Sequence, residues 1–132
     1  METQKLTIIL AIKGGAIAGL IGVGLNNIWS LIAAALGTTI PPGFAIAVTL
    51  SSFVPVLIGA LIFFVLVRYA SKGKIIWYAL SIGFMLFSFF PVFNTPQLPD
   101  GTLLDSTFPL LAGPMHVISG FLTAWGIPKW SR

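Results

Sequence analysis

The chain has 132 residues, of which 57% are apolar and only 8% charged, with a net charge of +4. Soluble domains carry roughly 25% charged residues, so seven basic and three acidic side chains cannot cover a globule in water. The composition excludes a large extramembrane catalytic or nucleic-acid-binding domain, and at ~20 residues per crossing it accommodates four membrane helices with short connections.

The first apolar stretch runs from Leu6 to Leu36 and is interrupted by Lys13, Asn26 and Asn27. It exceeds the length needed to cross a ~30 Å hydrocarbon core at 1.5 Å per residue. The spanning part is therefore placed at about 14–36, with Lys13 snorkelling at the interface. A cleavable signal peptide fits poorly, because the segment is long, its basic residues are split, and no small-residue cleavage pattern follows a short core. The run Gly37-Thr38-Thr39-Ile40-Pro41-Pro42-Gly43 stops this helix and starts the next.

The second span is expected at about 44–67, and Pro55 within it should bend the helix. The hydroxyls of Thr49, Ser51 and Ser52 stand one turn earlier, in reach of carbonyls that the proline frees. A basic turn, Arg68 to Lys74, leads to a third span at about 75–92. Residues 93–108 form the longest polar connection, with Pro99-Asp100-Gly101 as a tight turn and Asp105, Ser106 and Thr107 as helix caps. The last span is expected at about 109–127, flanked by Trp125 and Trp130 as interface anchors. The aromatic run Phe84, Phe87, Phe89, Phe90 and Phe93 is assigned to lipid and the outer interface.

Charge placement gives the orientation. Lys5, Lys13, Arg68, Lys72, Lys74, Lys129 and Arg132 all fall on the side holding both termini, whereas the other side has only Asp100 and Asp105. By the positive-inside rule the chain is an all-α, four-span bundle, N-in and C-in, with its longer loop exoplasmic. The same topology explains the basic residues without nucleic acid.

Few residues carry chemistry. Gly15, Gly19 and Gly22 line one face of the first helix at three- and four-residue steps, a pattern that permits close backbone approach. It serves internal packing or a dimer seam. Asn26 and Asn27 point about 100° apart, so at least one meets a polar cavity, a neighbouring helix or the interface. His116, the sole histidine, is an ionisable group within a span and a candidate proton or ligand site. Together with Asn26 and Asn27 it forms the candidate polar set. A lone histidine without Cys or Glu partners argues against a metal, and the absence of cysteine excludes disulfides and thiolate catalysis. Ser51, Ser52, Ser81 and Ser88 lack a matched base and orienter, and serines in spans bond to their own helix. No cofactor and no catalytic set is expected.

The basic N-terminus, the small-residue-rich first helix, the Pro-Pro-Gly opening of the second and the segment Pro114-Met115-His116-Val117-Ile118-Ser119-Gly120 together resemble a family. It comprises small bacterial four-helix membrane proteins of unknown function whose last helix has a Leu-Met-His-Leu-like pattern. Met115 and His116 match that pattern and Pro114 replaces the leucine. The resemblance implies a multi-pass bacterial inner-membrane protein and no particular activity. The leading functional reading is a structural or interaction bundle that packs with itself, with lipid or with a larger membrane partner. The alternatives are an oligomeric transporter or channel protomer with a polar cavity near Asn26, Asn27 and His116, and a membrane enzyme subunit.

Overall fold

The computed structural model describes residues 6–94, 97–98 and 100–132. Four helices long and apolar enough to cross a membrane account for most of them: α1 (Ile8–Ala35), α2 (Phe44–Tyr69), α3 (Gly73–Asn94) and α4 (Phe108–Trp130). No strand occurs among the described residues, only an isolated Gln97–Leu103 bridge. The protein is an all-α bundle of membrane-spanning length, as its composition requires.

The helices begin and end where local chemistry dictates. Thr7 caps α1 by accepting the Leu10 N–H at 3.2 Å, so the helix starts six residues before the expected span and carries Lys13 within it. At the other end Gly37 has φ 91°. The Thr38 N–H reaches the Ala33 carbonyl and the Gly37 N–H that of Ala34, both at 3.0 Å, a left-handed termination that favours glycine. At the head of α4 the expected caps divide their work. Thr107 makes no side-chain cap; instead the Asp105 carboxylate accepts the Thr107 N–H at 2.8 Å and its hydroxyl. In the preceding loop the Gly101 N–H closes a turn onto the Leu98 carbonyl at 2.9 Å. Lys5, Thr95, Pro96 and Pro99 lie outside the described residues.

α1 packs against α2 and α4, and α3 against the same pair; α2 approaches α4 mainly at its Leu122–Trp130 end. Gly15 and Gly19 face α2: an added Cβ would stand 2.5 Å from the Ala60 Cβ and 2.7 Å from the Phe53 ring, respectively. The glycine face is thus filled by the chain's own second helix, with Gly22 against Leu122 and Ser52. Lys13 Nζ donates to the Arg132 carbonyl at 3.2 Å, which joins the beginning of α1 to the end of α4.

Three levels stack along the bundle. Towards the termini, Ala18, Val56, Ala60, Phe63, Trp77 and Ile127 belong to one buried apolar cluster. Towards the loops, Ala33, Phe44, Val48, Leu111 and Met115 form a second. Between them, on each contributing helix, comes a polar level: Asn26, Ser52 and Ser119.

α4 departs from a regular helix at two prolines. Pro114 leaves the Leu110 carbonyl without its α-helical donor, and the Trp29 indole N–H of α1 approaches the Leu110 and Leu111 carbonyls at 3.3 and 3.0 Å. Pro128 does the same to Ala124, whose carbonyl accepts the Trp77 indole N–H of α3 at 3.2 Å. Just before Pro128 the chain widens into a π-helical turn, Leu122–Gly126. The Ile127 N–H there bonds the Leu122 carbonyl, five residues back.

Candidate functional site

Asn26 is the centre of the polar level and is 1% exposed. Its Nδ2 donates to Ser52 Oγ of α2 at 2.8 Å and to Ser119 Oγ of α4 at 2.9 Å, so one amide ties three helices together. Its Oδ1 is buried and has no hydrogen-bond partner among the described residues. An orphaned acceptor costs about 1–3 kcal/mol, which the two bonds from Nδ2 offset in part.

Asn27 goes elsewhere. Its Nδ2 donates to its own helix at the Val23 carbonyl, 2.9 Å, and to Thr49 Oγ1 of α2, 3.3 Å. The structure therefore does not bring it to Asn26 and His116: it lies on the α1/α2 flank beside the exposed Thr49.

His116 is half-buried one helical turn from Ser119. Its Nδ1 is 2.7 Å from Ser88 Oγ of α3, and the Ser88 hydroxyl donates to the Met85 carbonyl at 2.6 Å. Because that hydroxyl has one proton, the imidazole Nδ1 supplies the hydrogen of the first bond, and in the neutral ring Nε2 keeps its lone pair. Phe89 flanks the ring, centroids 5.9 Å apart; this aromatic turns inward from the expected lipid-facing run, whereas Phe84, Phe87, Phe90 and Phe93 remain exposed.

Two cavities share walls at this level. One, of about 290 Å³, extends from Phe44, Leu98 and Phe108 at the loop end to Asn26, Ser52 and His116. The other, of about 500 Å³, continues towards Trp77 between α2, α3 and α4. Ser51, His116 and Ser119 form walls of both. Pro55 also lines the larger one within an uninterrupted α2. The nearby hydroxyls do not serve the carbonyl it frees: Ser51 donates to Val48 at 3.3 Å, Ser52 accepts from Asn26, and Thr49 accepts from Asn27.

Ser119 and the Ser88–His116 contact had no separate signal in the sequence, since they join helices far apart in the chain. Among the described residues no group of three His, Asp or Glu side chains could hold a metal ion. No protein-family model, curated protein or solved structure matches the chain. The site's geometry, rather than kinship, has to carry its interpretation.

Proposed function

We propose that the chain is one protomer of an oligomeric transporter or channel, with solute held at the junction of the two cavities. The observation that carries this reading is the shared Ser51–His116–Ser119 wall, with polar groups lining space that a purely structural bundle would fill. The unpartnered Asn26 Oδ1 supports it further, because a packing asparagine would have both ends satisfied. Catalysis is the weaker reading. The Ser88 hydroxyl beside His116 commits its proton to Met85, so this pair lacks the arrangement of a nucleophile and its base.

The described basic residues Lys13, Arg68, Lys72, Lys74, Lys129 and Arg132 cluster at the terminal end, with Asp100 and Asp105 at the other. The positive-inside rule then turns the smaller cavity to the exterior of a bacterial inner membrane and both termini to the cytoplasm. Four helices give a thin wall, so passage requires further copies. The Asn27–Thr49 pair offers the contact: it is a hydrogen-bonded polar couple on an outward flank, where a neighbouring helix is a better environment than lipid. Thr49 and Ser51 are two residues apart, about 200° around α2, so association through that flank leaves the cavity wall clear.

Native mass spectrometry of the full chain, released gently from its own lipids, tests this. Two or more copies are expected, reduced to one in an Asn27→Leu, Thr49→Val double variant. A bare monomer in the unaltered protein contradicts the proposal.

A further inference from the structure

We infer that the site takes an uncharged, hydroxyl-bearing amphipath, which enters sideways from the bilayer between α2 and α3. This deepens the transport reading and rests on it for the site's being a place of occupancy.

The polarity of the ligand follows from which atoms are left over. Both hydrogens of the Asn26 amide are used by Ser52 and Ser119, and its unpartnered atom is the acceptor Oδ1. His116 uses Nδ1–H on Ser88, and its remaining nitrogen is the acceptor Nε2. Asn26 and His116 both line the smaller cavity, and the atoms they leave over, one of them the buried Oδ1, are acceptors, which call for a donor rather than a further acceptor. Among the described residues no Asp, Glu, Lys or Arg lines either cavity, so an ammonium or a carboxylate would be desolvated without a counter-charge. A hydroxyl donates without that penalty, and Ser119, which lines both cavities, adds a hydroxyl of its own to the site.

The rest of the ligand is apolar. The 500 Å³ chamber below the histidine is walled by Pro55, Met85, Leu80 and Phe84, together with Ile58 and Ile62, a volume suited to a molecule of small-drug size. Ile58 is 54% exposed, Ile62 44%, Leu80 43% and Phe84 71%. These lining residues are also surface residues, so the chamber opens on the flank of the bundle. In a membrane that flank faces hydrocarbon, from which an alkyl or aromatic body partitions directly. A hydroxylated lipid such as a diacylglycerol and a free alcohol or phenol share this chemistry.

The test uses the full chain in phosphatidylcholine nanodiscs and two photoactivatable diazirine probes, an octanol and the corresponding octane without the hydroxyl. The alcohol is expected to label, saturably, the peptides carrying Ser88 and His116 to Thr123. The octane should instead spread over the exposed phenylalanines of α3 without saturating. His116→Phe should lower the alcohol's site labelling by about threefold to tenfold, the worth of one hydrogen bond, and His116→Gln, which keeps an acceptor, should restore most of it. Competition by dioctanoylglycerol but not phenol assigns a bilayer source, and the converse a free one. Identical patterns for the two probes, or labelling indifferent to His116→Phe, overturn the inference. If an aqueous thiol reagent still reaches Ser119→Cys in that case, the ligand class fails while the transport reading stands. Saturable alcohol labelling of a chain that is a bare monomer does the reverse: the ligand class stands and the transport reading fails.

Discussion

Asn26 and Asn27 show how much one backbone step changes a side chain's role inside a membrane. One is buried and joins α1, α2 and α4; the other bonds back to its own helix and to an exposed threonine. Their divergence is legible in the sequence, because adjacent helical residues point about 100° apart. Which of them faces inward depends on where α2 lies. Replacing Asn26 by valine should destabilise the bundle by about 1–2 kcal/mol in a steric-trapping unfolding assay. A double-mutant cycle with Ser52→Ala should give a coupling of about 0.5–1 kcal/mol; strict additivity would mean that the bond contributes nothing.

At the loop end, the Thr107 hydroxyl and then Thr39 hold the Asp105 carboxyl below the ordinary aspartate value of 3.8, with the Thr107 N–H assisting. A lowered folded value means that this tie is fully present above the unfolded value and is lost as pH falls through the folded one. Asp105→Asn should therefore accelerate hydrogen exchange at the Thr107 amide at about pH 6, and the difference from the unaltered protein should shrink only once the pH has fallen below the ordinary aspartate value of 3.8. A difference independent of pH would refute the assignment.

At the scale of elements, the four spans were readable because hydrophobic length and turn residues act locally. Gly37 and the Pro41-Pro42 pair mark their connection on short-range grounds. The internal design of α4 was not readable, since its irregularities are satisfied from other helices. Pro114 and Pro128 free the Leu110 and Ala124 carbonyls, and a tryptophan from α1 or α3 reaches each of them. The signal existed in principle: a proline inside a span demands a donor, and a buried indole demands an acceptor. Pairing them required knowing the neighbours. Trp77→Phe should cost about 1 kcal/mol in the native chain and distinctly less in a Pro128→Ala background, where the helix regains its own N–H at that position. Equal costs in both backgrounds would show that the indole bond is incidental. The α1–α2 contact gives a second expectation. Gly15→Leu should lower unfolding stability by about 1–3 kcal/mol through overpacking against Ala60, and a neutral result would show that the two helices can separate freely.

For the whole molecule, the stacking of apolar, polar and apolar levels is what turns scattered residues into a site. The sequence identified His116 by the expense of an ionisable group in a span, yet its partner Ser88 lies on another helix. The Asn26 contacts to Ser52 and Ser119 likewise arise only when α1, α2 and α4 converge. The bundle has apolar clusters towards both ends and cavities beside its polar level, and the proposed solute site rests on that arrangement.

Because the chain contains no cysteine, single cysteines report access against a silent background. The most direct measurement is the reaction of Ser119→Cys with a small membrane-impermeant thiol reagent added from the loop side. Ala33→Cys serves as the buried control and Leu31→Cys as the lipid-facing one. Rapid modification of Ser119→Cys, with both controls inert, is the expected result. A Ser119→Cys thiol as unreactive as that of Ala33→Cys would contradict a solute site at the polar level and leave a bundle that only packs.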